Sequence, residues 1–235
     1  MLVSRMGLML PFESHDFLGN MSGELHRPCV SNLSSFVPSR FVALRMPSPS
    51  LRSAVAKLQE QLILLEPGAK GTAVPPEKNH LTAFVLSLQT ANALSRAKGA
   101  LHSCHQLAPA PPPSVHLRGL GHFSTRVCYV PCVEDESLRH VETLVSTYKA
   151  IFRAHGFDVA NEPWTAHLTL LKTSRLKRPA AAKIRPARFA DVVPPDLGKY
   201  SLATLELCAM AGVAADGFYR VEECVSVAAP PLPAV

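Results

Sequence analysis

Tryptophan occurs once in this chain of 235 residues, aromatic residues make up 6% of it, and charged residues only 18%. No apolar run approaches the ~20 residues that a membrane-spanning helix needs, so no membrane anchor is expected. The short apolar start, Met1 to Phe12, is interrupted by Pro11 and Glu13 and meets no small-residue cleavage site, which argues against a secretory signal. Cys-x-x-Cys pairs are missing as well. Six cysteines (Cys29, Cys104, Cys128, Cys132, Cys208, Cys224) are scattered, mostly through apolar stretches, in a chain too large to need disulfide staples. Reduced, buried thiols in an intracellular protein, cytoplasmic or nuclear, are therefore expected. A zinc site using His102, Cys104, His105 and the Cys128/Cys132 pair is disfavoured, because finger-like ligand spacing is lacking. Neither a metal nor a cofactor is expected.

What is present is apolar content of 47%, enough for one substantial core or two half-cores sharing an interface. The formal net charge of +6 and a pI near 9.1 favour an anionic partner such as RNA, an oligonucleotide or a nucleotide phosphate. Residues 1–38 lack periodicity and read as a flexible leader, residues 39–228 as one domain, and residues 229–235 as a Pro-rich tail. Pro109, Pro111, Pro112 and Pro113 form a stiff connector over residues 108–113 that divides the domain into halves.

The first half reads as a strand at Phe41 to Leu44, a helix after Ser48-Pro49 carrying Leu51, Val55, Leu58 and Leu62, a strand at His80 to Leu86, and a helix capped by Thr90. The second begins with two runs, Val115 to Leu120 and Val127 to Val133, expected to be adjacent antiparallel strands joined through Gly119, Gly121 and Ser124. A helix capped by Asp135 and ending at Gly156 follows, then a strand from Trp164 to Leu171 and a basic, Pro-containing loop. Strands at Leu202 to Met210 and Phe218 to Val227, separated by Asp216-Gly217, close the chain. Each half thus places a His-Leu-Thr strand beside an amphipathic helix, which points to duplicated α+β lobes.

In a strand, residues i and i+2 share a face, so His80 and Thr82 project together, as do His167 and Thr169. An imidazole beside a hydroxyl suits a phosphate group: the ring exchanges a proton near neutral pH while the hydroxyl donates to a non-bridging oxygen. Two such pairs supply both the base and the acid that metal-free phosphodiester cleavage requires. One His-hydrophobic-Ser/Thr triplet is weak evidence, since a chain with 10 histidines yields some by accident and His122-Phe123-Ser124 is a third. The other two are stronger because both open buried strands, in corresponding places of the two halves.

The order Phe41-Val42-Ala43-Leu44, His80-Leu81-Thr82, Gly119-Leu120-Gly121-His122-Phe123, Ala166-His167-Leu168-Thr169-Leu170-Leu171-Lys172 and Leu205-Glu206-Leu207-Cys208-Ala209-Met210 with Gly217-Phe218-Tyr219 resembles the two-histidine phosphoesterase superfamily. This is the LigT-like or 2′-5′ RNA ligase-like group, and the likeness is closest to the phosphoesterase domain of A-kinase anchoring proteins. It implies an α+β, bilobal LigT-like fold: two pseudo-symmetric lobes, each with an antiparallel sheet and outer helices, around a central groove. It also implies metal-independent action on RNA ends, 2′,3′-cyclic phosphates or 2′,5′-linked oligonucleotides, with His80, Thr82, His167 and Thr169 as catalytic residues. Ala83 departs from the bulkier residue usual after the first motif, and His122 stands where relatives tend to carry a small polar residue.

Around that centre, Lys172, Arg175, Lys177, Arg178, Lys183, Arg185 and Arg188 form a basic run without an acidic residue, placed to steer a polyanion. Lys172, Arg175, Lys177 and Arg178 are the expected substrate contacts. Phe84, Phe123, Trp164, Phe218 and Tyr219 are candidates to stack a base, with Phe218 and Tyr219 foremost. The rival reading is an adaptor that retains the groove to bind a nucleotide such as AMP, or RNA, without turnover, and that works through a protein partner.

Overall fold

The computed structural model describes residues 36–106, 112–160, 162–176, 184–190, 192 and 195–227. The leader expected over 1–38 and the tail over 229–235 fall almost wholly outside them.

β1 (Arg40–Arg45) alternates strictly: Val42 and Leu44 enter the main core, while Phe41 and Ala43 face the other side of the sheet. The Ser48 hydroxyl caps α1 (Pro49–Leu65), accepting from the Leu51 amide at 3.3 Å, and Pro49 is pre-set for its first turn. Leu51, Val55, Leu58 and Leu62 form the buried stripe, and each such burial stabilises by about 1.5–3 kcal/mol. β2 (His80–Leu86) carries the first motif and leads to α2 (Ala91–His105), capped by Thr90. In the second half come β3 (Ser114–Arg118), β4 (Gly121–Phe123) and β5 (Val127–Pro131). α3 (Glu136–Ala154) follows, capped by Asp135, with Gly156 at φ 81° just beyond its end. Then β6 (His167–Lys172) carries the second motif, and β7 (Asp196–Ser201), β8 (Thr204–Val213) and β9 (Tyr219–Ser226) complete the domain.

Seven strands form one antiparallel sheet in the order β4-β5-β6-β2-β1-β8-β9, and β3 pairs with β7 in a second sheet of two strands. The large sheet has two parts. β4-β5-β6 and β2-β1-β8-β9 join where β2 meets β6, through the single register pair Leu81↔Leu168. Leu81 and Leu168 belong to the main core with the buried stripes of α1, α2 and α3. On the opposite face a small cluster of Phe41, Ala43, Cys208 and Phe218 packs beside the first motif.

Two expectations need correcting. The runs at Val115 and Val127 do not pair as neighbouring strands: β3 pairs with β7, and β5 lies between β4 and β6, while the residues just after β5 meet β3 at the bridge Leu117↔Cys132 and through the Val133 amide, which donates to the His116 carbonyl at 2.7 Å. The chain turns at Gly119 (φ 95°), whose amide donates to the Pro195 carbonyl at 2.7 Å, and the hairpin forms instead within 121–131 around Ser124, at φ 48°. The stretch read as one basic loop contains β7, whose Asp-Leu-Gly-Lys-Tyr-Ser sequence buries too little to announce a strand. Of the cysteines, Cys104, Cys128, Cys132 and Cys208 are buried free thiols and Cys224 is an exposed one, while Cys29 lies outside the described residues. Burial pushes the Cys104 and Cys132 thiols up to about 12, which leaves them inert at neutral pH.

Candidate active site

The Leu81↔Leu168 pairing sets the site. With these two leucines turned into the core, His80, Thr82, His167 and Thr169 all project from the opposite face, and the antiparallel register sets His80 against Thr169 and Thr82 against His167. Two motifs distant in sequence thus form one four-residue patch.

Immediately after each threonine the strand carries a β-bulge. Val42 faces Phe84 and Ala43 faces Thr82, so Ala83 is the extra residue of β2; Cys128 faces Leu171 and Tyr129 faces Thr169, so Leu170 is the extra residue of β6. Each bulge sends two consecutive side chains into the core, Ala83-Phe84 and Leu170-Leu171. The phase shift returns Val85 and Lys172 to the histidine face, where both line the groove. The small side chain of Ala83 thus occupies a bulge. The second bulge is anchored from α1: buried Gln59 donates through Nε2 to the Val74 carbonyl at 2.7 Å and to the Leu170 carbonyl at 2.9 Å, and the Val74 amide donates to Leu170 as well.

The two rings are oriented alike. His80 Nδ1 donates to the Lys78 carbonyl at 2.6 Å, and His167 Nδ1 donates to the Thr165 carbonyl at 2.7 Å, each two residues upstream. This fixes the Nδ1–H tautomer of the neutral rings and leaves each Nε2 on the side of the ring away from that carbonyl. His80 Nε2 lies 3.1 Å from Thr82 Oγ1, and among the described residues His167 Nε2 has no hydrogen-bond partner.

Their surroundings differ. Burial first, then the charges of His167, Lys172 and Lys78, lower the His80 pKa to about 4 against the opposing hydrogen bond to Lys78. Burial and Lys172 also hold His167 below its ordinary value, opposed by the Thr165 carbonyl. Phe41 and Tyr219 flank His80, with ring centroids 5.2 and 5.5 Å away, while Tyr129 and Phe123 flank His167 at 5.0 and 4.9 Å. Gly121 makes room for this second pair, since a Cβ there would lie 2.5 Å from the Tyr129 ring. Trp164 ties the motifs together through Nε1, which donates to the Thr82 carbonyl at 2.7 Å.

A cavity of about 250 Å³ is lined by His80, Thr82, Thr169, Lys172 and Tyr219, with Phe41, Val74, Val85 and Met210. Of the expected substrate contacts, Lys172 lines it. Arg175 lies close enough to depress the Lys78 pKa and to act on Tyr219, and Lys177, Arg178 and Lys183 lie outside the described residues. Arg185 is directed toward buried Glu66 instead. Phe218 cannot stack a base: it is fully buried, held between the Arg45 guanidinium at 4.1 Å and the edge of His80. Phe84 is likewise buried, against Phe152. His122 is exposed on β4, one residue out of phase with Phe123. Lys78 was not among the expected contacts: it ends the 3-10 turn Pro76–Lys78 before β2, outside any strand alternation, and the fold brings its ammonium to the Tyr219 ring beside His80. Among the described residues no group of three or more His, Cys, Asp or Glu side chains is arranged to hold a metal ion, and no helix is long and apolar enough to cross a membrane.

Residues 38–227 match a family model described as the AKAP7 2'5' RNA ligase-like domain. No curated protein matches the chain. Among solved structures, Escherichia coli LigT complexed with 3'-AMP is similar with a TM-score of 0.60 at 18% identity, covering 80% of this chain and 97% of LigT. The apo form of that protein gives 0.59 at 19% identity, covering 82% and 98%. A Thermus thermophilus protein, TT0787, gives 0.51 at 22%, covering 80% and 97%. LigT has also been crystallised with ATP, at a TM-score of 0.53 and 18% identity, covering 82% of this chain and 99% of LigT. At these identities the likeness to solved structures establishes the fold.

Proposed function

Because this chain belongs to the AKAP7 2'5' RNA ligase-like domain family, we propose that it is a metal-independent phosphodiesterase acting on RNA ends, 2′,3′-cyclic phosphates or 2′,5′-linked oligonucleotides. The observation that carries the reading is the shared face of β2 and β6, where two equally oriented imidazoles, each with a threonine two residues on, project side by side: His80 and both threonines line the cavity, and His167 lies close enough for its charge to act on His80. A nucleotide phosphate as its ligand accords with the 3'-AMP and ATP complexes of LigT, which shares the fold.

The difference between the two environments supports one division of roles. His80, with its pKa near 4 and Nε2 facing the Thr82 hydroxyl, enters neutral and accepts the proton of the attacking water or ribose hydroxyl. His167, with Nε2 free among the described residues, is the acid: burial and Lys172 disfavour its charged form, and in the molecules where it is charged it delivers its proton to the departing oxygen. Thr82 and Thr169 donate to the non-bridging oxygens, and Lys172 offsets the charge that grows on them.

Turnover of 2′,3′-cyclic nucleotides and 2′,5′-linked oligoadenylates, assayed with chelator present, tests this directly. His80→Ala and His167→Ala should each abolish it while EDTA leaves it unaffected. Substantial activity in either variant refutes two-histidine catalysis, and tight binding of AMP without cleavage of any substrate in the panel favours the adaptor reading.

A further inference from the structure

The groove is electrically lopsided. β2 and β6 run antiparallel, so the start of β2 lies beside the end of β6, which brings Lys78 to the same end of the groove as Lys172. Arg175, in the turn that follows β6, joins them: its charge acts on both Lys78 and Tyr219. The Lys78 ammonium stands 4.3 Å from the centroid of the Tyr219 ring, which itself lines the groove. Among the described residues none of these three cations forms an ion pair with a carboxylate, whereas Arg40, Arg45, Lys98, Arg185 and Arg220 all do.

The other end has the opposite character. There a cavity of about 460 Å³ adjoins His167 through Thr165, Tyr129 and Pro131, and Glu134, Asp135 and Glu142 border it with a single cation, Arg139. Those carboxylates disfavour a further phosphate beyond His167. The matched bulge positions repeat the asymmetry on a smaller scale, with Lys172 on β6 and apolar Val85 on β2.

A phosphodiester carries one negative charge, and three unpaired cations exceed what it can neutralise. A terminal phosphomonoester adds about 1.5–2 charges at neutral pH, which brings the substrate close to balance with the three. We propose that Lys78, Lys172 and Arg175 form a second phosphate subsite, beside His80, for a terminal phosphomonoester on the nucleotide flanking the scissile bond. The Lys78 ammonium, steered by the Tyr219 face, closes the subsite from the β2 side. Burial first, and then the charge of Arg175, hold the Lys78 pKa below its ordinary value, and the repulsion between the two cations is relieved when the dianion sits between them. This subsite rests on the reading of the groove as a phosphate site, and it narrows the substrate class from any short diester to one that also bears a terminal phosphate.

The test compares ligands on the full chain by calorimetric titration. Adenosine 3′,5′-bisphosphate should bind about tenfold or more tightly than adenosine 5′-monophosphate, and the Lys78→Gln/Arg175→Gln double variant should erase that difference. Lys57→Gln, a change at an exposed lysine of α1, should preserve it. Equal affinities in the unaltered chain, or a difference that survives the double variant, overturn the subsite. Three 2′,5′-linked oligoadenylates then identify the source of the phosphate: a dimer with a 5′-hydroxyl, the same dimer 5′-phosphorylated, and a trimer with a 5′-hydroxyl. A gain in kcat/KM of about tenfold confined to the phosphorylated dimer supports the proposal. An equal gain for the trimer assigns the site to an internal diester and overturns the terminal preference. If no diester is cleaved but the bisphosphate preference holds, the phosphodiesterase reading fails and the subsite stands; if a diester is cleaved without that preference, the subsite fails and the phosphodiesterase reading stands.

Discussion

His80 and His167 occupy matching backbone positions, each at the start of a strand, held through Nδ1 by the carbonyl two residues back, and followed by a threonine and a bulge. Yet one ring packs on Tyr219 and Phe41 and feels Lys78 as well as Lys172, while the other packs on Phe123 and Tyr129 and feels Lys172, with a carboxylate-bordered cavity next to its neighbours Tyr129 and Thr165. Repeated backbone geometry supplies two equivalent imidazoles, and unlike neighbours give them different electrostatic surroundings. In a metal-free acid/base pair such a difference is useful, since unequal pKa values raise the fraction of molecules in which one chosen ring is neutral while the other is charged.

The largest break in that comparison comes from deleting either ring. His80→Ala and His167→Ala should each lower kcat by about 10²–10⁴, measured on a 2′,3′-cyclic nucleotide. The pH profile shows which ring is which. His80 must be neutral and His167 protonated, so kcat/KM should peak on the acid side of neutrality, falling below about pH 4 as His80 is protonated and falling on the alkaline side, at a pKa under 6.5, as His167 loses its proton. An alkaline limb well above 6.5 would reverse the assignment.

Next in size are changes that disturb one half and leave the other in place. Gly121→Ala drives a methyl group into the Tyr129 ring and should cost about 1–3 kcal/mol by urea unfolding, with the loss of activity tracking the displaced wall of His167. Gln59→Leu strips a donor from the Val74 and Leu170 carbonyls and should cost about 1–3 kcal/mol, loosening the second bulge while leaving the first.

Stability should also vary with pH through His80. The folded state resists protonating this ring until about pH 4 while the unfolded chain accepts the proton near 6.5, so the unfolded state binds more protons between those values. Stability should therefore decline as pH falls from 6.5 to about 4 and level off below, and His80→Asn should flatten that part of the curve. The smallest expected effect is that of Trp164→Phe, which removes the Nε1 bond to Thr82 and should cost about 0.5–1.5 kcal/mol by thermal or urea unfolding.

Much of this was legible in the order of residues, because strands and helices announce themselves through periodicity. Ser48-Pro49, Thr90 and Asp135 mark the three helix starts where the structure has them, and the two His-Leu-Thr triplets open strands. The adjacent apolar pairs Ala83-Phe84 and Leu170-Leu171 break the two-residue alternation, yet read as continuous buried strands when they are bulges. The pairing of β3 with β7 had no local signal, since β7 has weak patterning and its partner lies about eighty residues away.

By itself the sequence determined the three helices, most of the strands, the histidine and threonine pairs and the basic character near the second motif, all properties of residues close together along the chain. Only the tertiary structure decided that β2 and β6 lie side by side, that Lys78 and Lys172 come to the same end of the groove, and that Phe218 is core while Tyr219 lines the cavity. These depend on register between distant strands, and a one-residue slip would turn every one of those side chains to the opposite face.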